Sequence, residues 1–317
     1  MKNIRIAFFG TAGLSKSVLE ALYNEKYNIS LVITKPDKIR GRGKKLLPTS
    51  VKQFALEHNI PVVALEKVNP DFIDLLKEYR IDISLVVAFG QILPAEVIDY
   101  PQYGSLNLHA SLLPQLRGAS PIQSAILFGL KRTGITLQKM KFKMDAGDIL
   151  AQEEIAILEN WGAEDLLKVV IETSPTFVIK KIPLYLEGKL TPIPQDDSKA
   201  TYCYSLKKSD GLIDWNTDAV RIVRKILAFN TWPVCYTYLK GNILRLFKAT
   251  VYSNLSKEID MLKPGEIFDV DKKIGILVKV KGGAVAIQEL QLQNKKRMNF
   301  IDFVNGYRNI RGIILGK

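Results

Sequence analysis

The sequence of 317 residues is poor in the side chains that staple or metallate a protein, with only two cysteines and two histidines. Cys203 and Cys235 lack the paired spacing of a zinc site and cannot form a disulfide framework, so both are expected as reduced, unreactive residues. Long hydrophobic runs are also missing. Stretches such as Leu85 to Phe89 and Ile126 to Leu130 fall far short of the roughly 18 to 20 residues of a spanning helix. Met1 to Gly10 carries Lys2 and Arg5 and turns at glycine before a secretory apolar stretch could form. A cytoplasmic protein is expected. No Gly-Lys-Ser or Gly-Lys-Thr phosphate loop occurs, which argues against nucleotide hydrolysis, and no internal repeat has a solenoid period.

What is present is an ordinary globular composition, 47% hydrophobic and 24% charged, with a surplus of positive charge. Lys plus Arg number 45 against 32 Asp plus Glu, a net of +13. The surplus is uneven: residues 207–317 hold 20 basic and 10 acidic residues, and the preceding 206 hold 25 and 22. A basic appended domain suits a polyanion such as RNA, because each cation placed on a phosphate releases counterions. Solubilising lysines are the plainer alternative.

Hydrophobic periodicity divides the chain. Strand-like runs at Ile4 to Phe9, Ile29 to Thr34, Pro61 to Leu65 and Ile83 to Ala88 alternate with helical stretches at Leu14 to Tyr23, Ser50 to His58 and Asp71 to Tyr79. Thr49 or Ser50 is expected to cap the second helix and Asn69 the third. Lys35 to Pro48 reads as a loop. The pattern predicts an α/β fold with a doubly wound, mostly parallel, Rossmann-like sheet, whose ligands bind beyond the carboxyl ends of the strands. Helical spacing over Glu164 to Leu186 stops at Gly188, and Leu190 to Ser198 reads as linker. Beyond it come one amphipathic helix, Val220 to Ala228, and short β-branched runs that predict a smaller, OB-like β-barrel. The expected domains are 1–189, a linker at 190–206, and 207–317.

Four motifs could carry chemistry. Gly10-Thr11-Ala12-Gly13 lacks the third glycine and the later acidic residue of a dinucleotide fingerprint, so a tight turn accounts for it better. Arg40-Gly41-Arg42-Gly43-Lys44-Lys45 places four cations among two glycines, either a phosphate-seeking ribbon or a solvated loop. In Ser105 to His109 the alternation puts Asn107 and His109 on one face of a strand, where an amide donor and an imidazole can converge. Met144-Asp145-Ala146-Gly147-Asp148 offers a carboxylate that could orient that imidazole, or an ordinary turn aspartate.

Taken together, Asn107, His109 and Asp145, with Ser111-Leu112-Leu113-Pro114 between them, resemble the signature of the folate-dependent formyltransferases. The resemblance extends over nearly the whole chain. Gly41 to Leu46, Arg117-Gly118 with Pro121-Ile122-Gln123, Ile213-Asp214-Trp215 and Phe229 to Pro233 resemble the members that act on an aminoacyl-tRNA. It implies transfer of a formyl group from 10-formyltetrahydrofolate, the co-substrate, to the α-amino group of methionyl initiator tRNA, without a metal and as a monomer. It further implies Asn107, His109 and Asp145 as catalytic groups. Phe89, Gly90, Gln91 and Ile92, with Ser111, Leu112, Leu113 and Pro114, would line the folate site. Arg42, Lys44 and Lys45, with Arg221, Arg224 and Lys225, would hold the tRNA. The chain departs from the family pattern at Ala12, Gly13, Gln115 and Lys141. A formyltransferase for a small amine, such as an amino-sugar nucleotide, and a non-catalytic RNA-binding protein are the alternative readings.

Overall fold

Apolar runs too short for helices and bounded by turns form the first sheet. The computed structural model describes residues 3–40, 45–254 and 257–316, and within it the chain divides into two compact units. Arg42 and Lys44 therefore lie outside the described residues, and Lys45 enters only through its backbone.

The first unit comprises residues up to 121, 132–156 and 167–203. Its strands are β1 (Arg5–Gly10), β2 (Asn28–Thr34), β3 (Lys38–Arg40), β4 (Lys45–Leu47), β5 (Val62–Ala64), β6 (Ile83–Val87), β7 (Ser105–His109), β8 (Arg117–Gly118), β9 (Arg132–Lys139), β10 (Asp148–Ala156) and β11 (Tyr202–Cys203). Its helices are α1 (Gly13–Asn24), α2 (Ser50–Glu57), α3 (Phe72–Glu78) and α4 (Ala95–Asp99). Two more, α5 (Pro121–Leu127) and α6 (Ala163–Leu186), run across the division. The seven-stranded sheet has the order β10-β9-β7-β6-β1-β2-β5. Pairs from β5 to β7 are parallel, while β9 and β10 run antiparallel at one edge. The central strands are buried on both faces, as β6 is at every residue, which explains their continuous rather than alternating apolar sequence. Phe9, Phe72 and Phe89 pack edge to face in this core, with ring centroids 6.0 and 5.4 Å apart.

The turn after β1 is a tight turn. A Cβ on Gly10 would meet Ser15 Cβ at 2.5 Å, and Ser15 Oγ already accepts the amides of Thr11 and Ala12 at 3.1 and 3.3 Å. Thr49 caps α2 by accepting from Lys52 N at 3.0 Å. The cap position of α3 falls at Asp71 rather than Asn69, and Asp71 makes no side-chain capping bond; Asn69 accepts Phe72 N through its carbonyl at 3.2 Å. The expected loop 35–48 contains the β3–β4 hairpin. Helix α6 includes Pro175 and Pro183, each of which leaves the carbonyl four residues earlier without its amide donor. Tyr27 Oη donates to Ile179 O at 3.4 Å, while the single Ser17 hydroxyl proton is directed to Leu14 O at 2.9 Å and only approaches Ile171 O at 3.4 Å.

The second unit comprises 122–131, 157–166 and 204–317. It contains α7 (Ala219–Ala228), β12 (Cys235–Leu239), β13 (Asn242–Tyr252), β14 (Ile267–Asp271), β15 (Gly275–Val280), β16 (Gly283–Leu292), β17 (Met298–Asn299) and α8 (Phe300–Gly306). The strands form an antiparallel sheet of order β12-β13-β16-β15-β14, with β17 added to β16. Among the described residues no ladder joins β12 to β14, so the expected barrel takes the form of an antiparallel sheet. Ile222, Val223, Ile226 and Leu227 form the buried face of α7, which packs on β13 and β16. Asp218 caps α7 through Arg221 N at 2.9 Å. No described helix is long and apolar enough to cross a membrane.

Candidate active site

Strand β7 pairs with β9 so that Asn107 faces Gln138 and His109 faces Thr136. Residues directly opposite in an antiparallel pair project to the same side, so four polar groups share one face near the carboxyl end of the parallel strands. The β9–β10 connection brings Asp145 back to them. Asp145 Oδ1 accepts from Asn107 Nδ2 at 3.2 Å and from Gln138 Nε2 at 3.0 Å, and Oδ2 accepts from Gly118 N at 2.9 Å. Asp145 holds φ +49°, a left-handed conformation that costs a non-glycine residue free energy and is kept only when its surroundings fix it.

His109 is 6% exposed. Its Nε2 lies 2.9 Å from Leu116 O, and a carbonyl only accepts, so Nε2 carries a proton there. Nδ1 stands 3.6 Å from Asp145 Oδ1, too far for a hydrogen bond, and is the uncommitted nitrogen of the ring. Of the two Asn107 amide protons, one is directed to Asp145. The site thus offers two donor positions, the second Asn107 N–H and a protonated His109 Nδ1, beside a carboxylate able to receive a proton.

The segments expected to line a folate site are held mainly through their backbones. Ser111 O accepts from Thr136 Oγ1 at 2.6 Å, Leu113 N donates to the same hydroxyl at 3.1 Å, and Gln152 Nε2 donates to Leu113 O at 2.9 Å. Ser111 and Leu113 are buried, while Leu112 and Pro114 are half-buried. Beyond β6, Phe89 belongs to the core. Gln91 bridges Val68 N and Leu65 O at 3.0 and 2.9 Å, and Gly90 and Ile92 are exposed. Lys35 Nζ donates to Gly90 O at 2.9 Å, and burial, reinforced by Lys38, holds this ammonium below the usual lysine range.

Two groups escape the sequence reading, and a third was named without its role. Gln138 was detectable from its two-residue step from Thr136 along β9, and Gln195 carried no such signal. Arg117 entered the sequence reading with Gly118 only through the family resemblance, not as a fully buried brace. Arg117 Nε and Nη2 donate to Gln195 Oε1 at 3.0 and 2.8 Å. Its Nη1 forms an ion pair with Asp197 Oδ1 at 2.8 Å. Lys143 and Arg117 hold the Asp197 carboxyl below the usual carboxylate range. Among the described residues no three His, Cys, Asp or Glu side chains gather as a metal-ligand set.

In the second unit Arg221, Arg224 and Lys225 share one face of α7 and line a cleft of about 370 Å³ with Asp214 and Thr217. Arg221 pairs with Asp218 at 3.2 Å, and Lys225 Nζ donates to Leu212 O at 2.8 Å. Trp215 of the Ile213-Asp214-Trp215 motif is buried and donates from Nε1 to Thr237 Oγ1 at 3.1 Å. Asn230 Oδ1 accepts from Glu164 N at 3.1 Å.

Comparison with known proteins bears on the whole chain. A methionyl-tRNA formyltransferase of Dictyoglomus thermophilum is 39% identical over 96% of this chain and 97% of its own length. One of Caldicellulosiruptor saccharolyticus is 39% identical over 98% and 99%. The fold is similar to that of HypX from Aquifex aeolicus in complex with tetrahydrofolic acid, with a TM-score of 0.65 and 19% identity. That match covers 95% of this chain, which spans about half (47%) of the HypX chain. Residues 3–182 match the formyl transferase family and 205–308 its C-terminal domain. With Asn107, His109 and Asp145 all inside the first match, this chain belongs to the formyl transferase family.

Proposed function

We propose that this chain transfers the formyl group of 10-formyltetrahydrofolate to the α-amino group of methionyl initiator tRNA. The observation that carries the reading is the convergence of Asn107 and His109 on Asp145, at 3.2 and 3.6 Å. When an amine adds to a formamide carbon, the formyl oxygen gains negative charge and the nitrogen holds a surplus proton. The second Asn107 N–H and His109 Nδ1–H meet the oxygen, and donation from Nδ1 uses the doubly protonated ring because Nε2 is engaged with Leu116. Asp145, 3.6 Å from Nδ1, stabilises the imidazolium electrostatically and accepts the proton leaving the amine, directly or through water. Collapse of the tetrahedral adduct then breaks the C–N bond to the donor, whose nitrogen takes up that proton as tetrahydrofolate leaves.

The segments after β6 and β7 suit a flat, polar-edged ligand. Ala88 and Gly90 both adopt positive φ, +44° and +69°, and are exposed, so main chain is accessible there, flanked by the exposed apolar side chain of Ile92. Residues 89–92 and 111–114 would hold the folate, which supplies the activated formyl group. Arg42, Lys44 and Lys45 would contact the acceptor arm, with Arg221, Arg224 and Lys225 on its backbone. The working division is 1–189 for chemistry and 207–317 for tRNA, joined by 190–206.

The test is transfer of labelled formyl from 10-formyltetrahydrofolate to methionyl initiator tRNA, with methionyl elongator tRNA and free small amines as parallel acceptors. Label on initiator tRNA alone is expected. Label on a small amine instead would reassign the acceptor, and label on none would leave a binding protein.

A further inference from the structure

We infer that Gln195 is a positioning residue for the transfer reaction, fixing the Asp145 turn so that its carboxylate stays directed at Asn107 and His109. This deepens the reading above and rests on Asp145 taking part in the chemistry. The Gln195 amide is fully engaged. Its Nε2 donates to Asp145 O at 2.9 Å and Gly147 O at 2.6 Å, and its Oε1 accepts both Arg117 donors. Rotating the amide by half a turn would set oxygen against two carbonyls and N–H against a guanidinium, so a single orientation survives.

Both ends of this amide lead to the Asp145 carboxylate. On one side, Gln195 holds the carbonyl of Asp145 itself, a residue in the left-handed region that needs such external support. On the other, it holds the guanidinium of Arg117, whose neighbour Gly118 donates to Asp145 Oδ2. The surrounding chain braces the same groups. Ile193 and Ile149 exchange backbone hydrogen bonds at 2.8 and 2.9 Å, and Thr201 takes Arg117 N through its carbonyl and Leu116 N through its hydroxyl, both at 2.9 Å. Leu116 is the residue whose carbonyl receives His109 Nε2. The segment read as a linker in the sequence therefore secures the backbone behind both Asp145 and His109.

A merely structural role, as the partner of a buried cation, predicts a different outcome from a positioning role, so kinetics decide. Gln195→Glu keeps the shape and still accepts from Arg117, but it turns two N–H donors into an oxygen facing two carbonyls. In the full chain, with formyl transfer measured under steady-state and single-turnover conditions, kcat is expected to fall about 10- to 100-fold. KM for folate and for tRNA should change little, while the thermal midpoint falls because two carbonyls lose their donors, so the assay is run below that midpoint and kcat, not stability, decides. Gln195→Met, which lacks donors and acceptor, should show the same kcat loss and serves if the Glu variant does not fold. In an Asp145→Asn background neither substitution should slow the residual rate further, because a positioning residue acts only through the group it positions.

Near-normal kcat in the Gln195 variants, a loss that appears in KM instead, or a loss repeated in full in the Asp145→Asn background would overturn the inference while leaving Asp145 in its role. Near-normal kcat in Asp145→Asn itself would remove that role, and this inference with it.

Discussion

At the residue scale, Asn107 and His109 matter for the protons they donate, so truncating them should remove rate without removing the fold. Asn107→Ala or His109→Ala is expected to lower formyl transfer by roughly 100- to 1,000-fold, with the thermal midpoint close to that of the parent; turnover within a few fold of normal would sink the catalytic assignment. A different residue makes a negative prediction. Burial pushes the Cys235 thiol up to about 12, and Sγ lies 3.3 Å from the Lys225 carbonyl. Thiolate is the reactive form, so Cys235 should resist alkylation of the native protein at pH 8 and react once the protein is unfolded in urea. The three catalytic candidates were singled out because two lay at alternate positions of one strand, the third lay in a glycine turn, and the set resembles the family signature. Gln195 was not, nor was the bracing part of Arg117, because an amide or a buried guanidinium gains its structural role only from partners distant in sequence; Gln138 could be found only through its two-residue step from Thr136. Phe89 and Gln91 show the converse: one packs in the core and the other ties two loops together, so any part they take in holding folate is played from the backbone.

At the element scale, α6 tests how a helix tolerates internal proline. Of its two proline-freed carbonyls, Ile179 O receives the Tyr27 hydroxyl, whereas Ser17 gives its proton to Leu14 O at 2.9 Å and stands 3.4 Å from Ile171 O. Tyr27→Phe should cost about 0.5–1.5 kcal/mol, read as a lower urea midpoint at unchanged slope. No change in midpoint would mean that water satisfies this carbonyl equally well. The parallel strands were readable to within a residue or two because burial on both faces writes a continuous apolar run. The antiparallel edge was not: β10 carries Asp148, Gln152, Glu153 and Glu154 and is largely exposed along its middle, so its sequence looks like neither core strand nor helix. Helix α8 was concealed for a different reason, since its seven residues bury only Phe300 and Phe303 and are too short to show a helical period.

At the scale of the whole molecule, charge is the property that sequence reports most directly, because a sum does not depend on the fold. With 20 basic and 10 acidic residues in the last 111, affinity for tRNA should fall steeply with salt. Replacing Arg221, Arg224 and Lys225 together by alanine should flatten the slope of log K against log salt by about 2 to 3, near one counterion for each phosphate left without its cation. At saturating tRNA, kcat should remain near normal; an unchanged slope would mean these cations do not meet phosphate. The boundary between the units carries a consequence for exchanging them. The first family match ends at residue 182, yet Gln195, Asp197 and Thr201 brace the Asp145 turn and the Arg117 backbone from beyond that point. A chimera spliced at the family boundary would take the brace under its carboxylate from the other parent, whereas one joined after Cys203 would keep Asp145 and Gln195 from the same chain. Because 122–131 and 157–166 belong to the second unit, an exchange that moves them together with 204–317 is expected to keep activity, and a splice at residue 182 to yield folded but sluggish transferases.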